Sequence, residues 1–308
     1  MKRINWLVHV PMGIRLQRLL ATTWAEMRFP QCCAPGHFYS PIPSPNELRR
    51  DRQRIFDGNV ADLPEIRIRE AEQLKLVGSL GKQSATIHLG GKSSPPRRYY
   101  IENDYFFSKD ATVFAAMLME NRPRNYVEIG SGFSSALALD LSDELFGEKL
   151  KFTFIEPDTD RLVNLLHASD KERVVIQEKR VQEVPDRTFQ ELERNDVLFV
   201  DGSHVSKVGS DLNDVLFRVL PLLKDGVLIH FHDVFWPFEY PERDVLAGRS
   251  WNEAYLLRAF LANNAKYRIE LFASWLERLH PWEWHRAFPA VGSDRASSLW
   301  LRKSPPEG

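Results

Sequence analysis

From residue 125 onward, short apolar runs return at regular intervals, each followed by a segment with helical spacing. This alternation limits the possible folds more than any other feature of the chain. The runs are NYVEIG (125–130), KFTFIEP (151–157), RVVIQEK (173–179), DVLFVDG (196–202) and GVLIHFHD (226–233). Between them lie helical segments that begin at Ser134 and Asp160, centre on Phe189, and run over Ser210 to Leu223. A further helix is expected over SKDATVFAAMLMENR, with Ser108 as its N-cap. Five strands with intervening helices predict a doubly wound, mostly parallel α/β sheet. YRIELFA (267–273) and SSLWLRK (297–303) add two strands, separated by a long loop rich in Trp and His.

Residues 1–98 are patterned differently and are expected to form a helical or irregular extension that packs on the 99–308 domain and shapes its pocket. Val10, Ile14, Leu16, Leu19, Leu20 and Trp24 suggest an amphipathic helix. Pro41, Pro43 and Pro45 predict an extended path, NELRRDRQRIF a helical stretch and LGGKSSPP a loop. Arg49, Arg50, Arg52 and Arg54 read as a solvated helix face, and a formal net charge of −1 gives no global attraction to nucleic acid or anionic lipid. The two cysteines, Cys32 and Cys33, are adjacent, which provides neither a disulfide framework nor a zinc spacing. No apolar run approaches the roughly 18 residues of a membrane span. The opening apolar stretch is short and broken by His9 and Pro11, unlike a secretory signal, so a cytoplasmic protein is expected. No feature fixes an oligomeric state.

In a doubly wound sheet, ligands bind beyond the carboxyl ends of the strands. The first strand ends in Glu128-Ile129-Gly130-Ser131-Gly132-Phe133-Ser134-Ser135, and the second in Glu156. Glycines at 130 and 132 allow a tight turn and close approach of a ligand. Glu156 stands where a carboxylate would hold ribose hydroxyls, an arrangement shared by NAD and S-adenosylmethionine sites. Two features distinguish them. Ser135 occupies the place of the third glycine of a dinucleotide fingerprint, and Glu128 would repel a pyrophosphate while suiting an ammonium and a sulfonium. An NAD-dependent oxidoreductase and a non-catalytic cofactor- or partner-binding protein remain the alternatives.

With VEIGSGFSS and FIEPD, the chain resembles the class I S-adenosylmethionine-dependent methyltransferases over roughly residues 100–302. The pair FVDGSH and PLLKDGVLIHFHD resembles a subfamily containing many small-molecule and sugar O-methyltransferases. The resemblance implies O-methylation of a small-molecule or sugar-like acceptor, on a seven-stranded Rossmann-like sheet. It implies that Glu128, Gly130, Ser131, Gly132 and Ser134 face the methionine part of the cofactor and that Glu156 binds the ribose. Val181 and Gln182, after Arg180, would lie by the adenine, Asp201 opposite the sulfonium, and Asn103 with Phe106 over the cofactor. In metal-dependent relatives, an acidic residue after the fourth strand joins two ligands after the fifth. The match here is Asp201, His232 and Asp233, a candidate site for Mg²⁺ or Mn²⁺, with an imidazole where oxygen ligands are usual.

The alternative to a metal is acid–base chemistry by His204, Asp201 and Asp233. A neutral His204 could take a proton from an acceptor hydroxyl, with a titration near ~6.5. His230 reads as a core histidine, and His280 and His285 as either acceptor contacts or surface residues. Trp275, Trp282 and Trp284, with FWPFEYP, are expected to shape the acceptor pocket.

Overall fold

The computed structural model describes residues 32–57, 60–147, 150–289, 292 and 294–305. The amphipathic helix expected around Val10 to Trp24 lies outside them. The chain divides into two compact units, residues 1–55 and 56–308. Residues 56–98, assigned from sequence to the extension, thus belong to the unit that holds the sheet.

In the first unit the proline-rich stretch turns back on itself instead of running extended. The Gly36 N–H donates to the Ile42 carbonyl at 3.0 Å and that of Ser40 to His37 at 2.7 Å. Gly36 takes φ +84°, a conformation open to glycine. The helix Pro45–Arg50 follows, with Arg49 and Arg50 exposed as expected.

The second unit is built on seven strands: β1 Asn125–Ile129, β2 Lys151–Ile155, β3 Val174–Gln177, β4 Val197–Val200, β5 Leu228–Phe231, β6 Tyr267–Phe272 and β7 Leu299–Lys303. Their order is β3-β2-β1-β4-β5-β7-β6. The first five are parallel, and β7 runs antiparallel to both neighbours. This is the expected doubly wound, mostly parallel, Rossmann-like sheet. Strand order reverses between β1 and β4, which puts the switch point, and with it the ligand crevice, at Gly130 and Asp201.

Register explains the core beside that crevice. Phe154, Glu128, Phe199, His230 and Trp300 form one row across five strands. The helix Ser108–Asn121 covers this row, with Phe114 against the rings of Tyr126, Phe199 and Trp300. Ser108 is its first helical residue, not its cap, and its hydroxyl donates to Asp294 instead.

Two regions differ from the expectation. Glu70–Ser84 is a helix whose buried residues Gln73, Val77 and Leu80 share one face. Residues 274–287, expected as the first part of the Trp- and His-rich loop, lie in the helices Ala273–Leu279 and Pro281–Ala287 and their junction. The second of these presses on Glu70–Ser84, where a Cβ at Gly81 would lie 2.9 Å from the Ala287 Cα. Trp275 and Trp284 are core, Trp282 is exposed, and His285 is on the surface. His280 lies by Trp275 and 3.6 Å from Glu70. Phe235, Trp236 and Phe238 are likewise buried, the Trp236 indole donating to the Val60 carbonyl at 2.7 Å. Apart from Trp282, these aromatics are packed in the core. Among the described residues, no helix is long and apolar enough to cross a membrane.

Candidate active site

The turn after β1 is determined by how closely the strands pack. Gly130 has φ +84°, and a Cβ there would sit 1.8 Å from the Asp201 carbonyl oxygen. No other residue fits, so the end of β1 rests directly against the end of β4. Ser135 then explains itself. Its hydroxyl accepts the Gly132 N–H at 3.0 Å and donates to Glu128, binding the turn to the strand before it. A glycine could do neither.

Glu128 is fully buried, one carboxylate oxygen bound by the Ser134 hydroxyl and the other by that of Ser135. Burial pushes its pKa up to about 8, against the two hydroxyls and with the help of the Asp201 and Glu156 charges. The fixed anion expected from sequence is therefore a neutral acid near pH 7 in the protein alone. A cation placed beside it would favour the anion.

Glu156 leaves β2 and reaches back to the same turn. One oxygen accepts the Ser131 N–H at 3.1 Å, the other the Asp158 N–H at 2.9 Å. Each oxygen keeps a lone pair for a ligand hydroxyl. Two buried atoms of the expected cofactor residues lack a protein partner: the Ser131 hydroxyl oxygen and the Gln182 side-chain oxygen. The Gln182 amide nitrogen donates to the Gly209 carbonyl at 2.9 Å, and Val181 beside it is buried. Orphaned polar atoms of this kind call for a ligand or water.

Asn103 is not available to a ligand as expected. Its nitrogen donates to the carbonyls of Tyr100 and Phe106, and its oxygen accepts the N–H groups of Tyr105 and Phe106. All four of its hydrogen-bonding positions are used in shaping its own loop. Phe106 is core, packed on Phe114, Phe199 and His232. The residue presented to the turn is Tyr105, stacked on Phe133 with the Arg161 guanidinium 3.8 Å from its ring centre. Arg161 in turn lies 3.2 Å from where a Gly132 Cβ would be.

On the β4–β5 side, the acidic residues converge on one histidine. His204 Nε2 lies 3.2 Å from Asp201 and 3.9 Å from Asp233, and its Nδ1 lies 2.7 Å from Glu253. Burial opposes a charge on this ring, but hydrogen bonds to Asp201 and Glu253 outweigh it and hold the pKa well above 6.5. The titration near 6.5 expected for His204 is corrected upward for that reason. Asp201 is correspondingly lowered: burial disfavours its charge, while His232 and His204 more than compensate. Glu253 escaped the sequence reading altogether. It begins the helix Glu253–Leu261, 49 residues from its partner, and no local pattern marks it.

The expected metal triad is not assembled. Asp201 and Asp233 turn toward His204, whereas the His232 ring packs against Phe106, Phe199 and His230 with its Nδ1 unpartnered. Among the described residues no three His, Cys, Asp or Glu side chains are grouped to hold a metal ion. His230 is a core residue as expected, stacked on Phe199 at 4.1 Å, and burial keeps it neutral.

Residues 127–234, from the glycine turn to Asp233, match a family described as a methyltransferase domain. An uncharacterised protein of Archaeoglobus fulgidus is 34% identical over 132 residues, which is 40% of this chain and 57% of the relative. The match thus spans little more than half of that protein's length. Similar solved structures include an S-adenosylhomocysteine-bound methyltransferase of Podospora anserina, at 14% identity and TM-score 0.41, covering 84% of this chain and 97% of that one. CmcI with magnesium and S-adenosylmethionine is 18% identical with TM-score 0.42, covering 73% and 84%. An O-methyltransferase family protein of Burkholderia thailandensis is 17% identical with TM-score 0.40, covering 64% and 56%.

Proposed function

We propose that the chain is an S-adenosylmethionine-dependent methyltransferase that acts on a hydroxyl of a small-molecule or sugar-like acceptor. The observation that carries this reading is the gathering of Glu128, Glu156 and Asp201 around the glycine turn at the switch point. A site lined by three carboxyl groups suits a ligand that brings an ammonium, a sulfonium and a ribose diol better than one that brings a pyrophosphate. The methyltransferase-domain match over 127–234 supports the same reading.

The residues present fit such a cofactor. Glu156 would hold the ribose hydroxyls through its remaining lone pairs, and Glu128 would meet the ammonium. The partnerless Gln182 and Ser131 oxygens would accept from the adenine and methionine ends. When bound, the cofactor supplies an already activated methyl group, so the protein has to orient the acceptor and remove its proton. His204, with Asp201 and Asp233, lies at the carboxyl end of the neighbouring strands to do so. Residues 60–65 of the expected extension brace this side, through the Val60–Trp236 bond and a Glu65–Arg258 ion pair at 2.6 Å.

The test is release of S-adenosylhomocysteine over a panel of hydroxylated acceptors, with and without EDTA. The expected result is turnover of at least one acceptor that persists in EDTA. No product with any acceptor, although S-adenosylmethionine binds, would favour a non-catalytic cofactor-binding protein. Loss of turnover in EDTA with recovery in Mg²⁺ would return the metal reading.

A further inference from the structure

His204 is held more firmly than a surface histidine at a strand end needs to be. Its φ of +58° is uncommon for a residue with a side chain and persists only where the surroundings enforce it. The surroundings come from one segment, residues 251–253. The N–H groups of Asn252 and Glu253 both donate to the His204 carbonyl, at 3.0 and 3.2 Å. The Asn252 side chain exchanges hydrogen bonds with the Ser206 backbone, accepting its N–H at 2.6 Å and donating to its carbonyl at 3.2 Å. The Trp251 ring lies against the imidazole at 4.5 Å, backed by Arg249. Finally the Glu253 carboxylate, 2% exposed, takes Nδ1.

Each of these contacts constrains a different freedom of His204: the two N–H donors its backbone, the tryptophan the tilt of its ring, the carboxylate its rotation and tautomer. Nε2 faces the switch-point cleft, 3.2 Å from Asp201 and 3.9 Å from Asp233, and the 2.7 Å contact of Nδ1 with Glu253 is the shorter of the ring's two hydrogen bonds. We infer that Glu253 is a positioning residue: it keeps the proton of neutral His204 on Nδ1, so that Nε2 is the nitrogen that receives the acceptor's proton. The inference rests on the methyl-transfer reading above. In that step the hydroxyl proton moves to Nε2 while the acceptor oxygen bonds to the methyl carbon. The electron pair of the broken carbon–sulfur bond stays on sulfur.

The arrangement also explains why a carboxylate sits in so dry a place. Removing an anion from water is costly, and here the cost is offset by one short charge-assisted hydrogen bond. A carboxylate in this position favours one tautomer and stabilises the imidazolium formed as the proton arrives, which is the logic of an orienting acid behind a catalytic histidine. The charged groups facing His204 are Asp201, Asp233 and Glu253, with His232 beyond them.

The experiment uses the full chain, with its histidine ring nitrogens labelled with ¹⁵N. Above the His204 pKa, the wild type should show the Nδ1–H tautomer. Glu253→Ala should redistribute the proton toward Nε2, lower kcat by about 10²-fold or more, and leave S-adenosylmethionine affinity unchanged. Glu253→Gln, which keeps an acceptor but no charge, should preserve the tautomer, lower the His204 pKa and recover part of kcat. An unchanged tautomer and kcat in folded Glu253→Ala would overturn the inference. Where that variant does not fold, wild-type protein whose neutral His204 carries its proton on Nε2 would overturn it. Failure of the methyl-transfer reading would register separately, as wild-type protein that does not bind S-adenosylmethionine.

Discussion

At the scale of single residues, Glu156 and His204 make the most specific commitments. Glu156 is partly exposed, and replacing it removes two ligand acceptors together with its bonds to the Ser131 and Asp158 N–H groups. Each such charge-assisted bond is worth roughly 1.5–3 kcal/mol. Glu156→Ala should therefore weaken S-adenosylmethionine about ten-fold or more in calorimetry, and an unchanged affinity in a folded variant would place the ribose elsewhere. His204 makes a prediction about pH. A base acts when neutral, and the ring is held protonated above its ordinary range by Asp201 and Glu253. The rate should rise with pH along a limb displaced above 6.5, and His204→Ala should remove both the limb and most of the turnover. Full activity in both His204→Ala and Asp233→Ala would leave these residues with a structural role only.

At the scale of elements, legibility followed locality. All seven strands could be read from the chain: β4 and β5, buried throughout, are almost continuously apolar, β6 alternates, and helical segments separate the parallel neighbours. Gly130, Gly132 and Glu156 were legible for a similar reason: they are fixed by their own strand ends. Glu253, Tyr105 and Arg161 were not, because the contacts that define them span different elements. The helix Glu70–Ser84 was missed since its buried face includes Gln73, a polar residue whose side-chain oxygen accepts the Phe272 N–H at 2.7 Å. The Trp-rich stretch was expected as a loop but forms two helices, because its composition alone does not mark the helical packing of Trp275 and Trp284.

The element before the first core helix carries a prediction of its own. Arg98, almost fully buried, forms ion pairs with Asp140 at 2.8 Å and Asp170 at 2.6 Å, while the N–H groups of Arg98 and Tyr99 both bond to Asp140. Removing Arg98 leaves Asp140 with only backbone donors from residues 98 and 99 and Asp170 with Arg173 as its remaining cation, a loss of up to about 3–5 kcal/mol. Arg98→Ala should show that loss in urea unfolding. A chain beginning at Tyr99 loses both Arg98 and the helix Glu70–Ser84, and should be less soluble and less active than the full chain. Normal folding and turnover by that shortened chain would make the upstream residues dispensable.

At the scale of the whole molecule, the buried acid at the glycine turn links stability to pH. Glu128 binds its proton up to about pH 8 when folded, against an ordinary value of 4.5. Between those values the folded state holds more protons than the unfolded one, so stability must fall as pH rises. The contribution is complete below about 4.5 and is lost as pH climbs through about 8, at roughly 1.4 kcal/mol per pH unit. Urea unfolding at intervals from pH 5.5 to 8.5 should show a descending slope in the wild type that is shallower in Glu128→Gln. Equal slopes would mean that Glu128 is ionised in the folded protein.

The same acid decides the central question, because a carboxyl group that ionises for an incoming cation distinguishes a methyl donor from a dinucleotide. The most direct measurement is calorimetric titration of the full chain with S-adenosylmethionine and with NAD⁺ at pH 7, repeated in buffers of different ionisation enthalpy. The account predicts saturable one-site binding of S-adenosylmethionine with release of protons to the buffer, and no comparable heat from NAD⁺. Saturable binding of NAD⁺ with none of S-adenosylmethionine would contradict it.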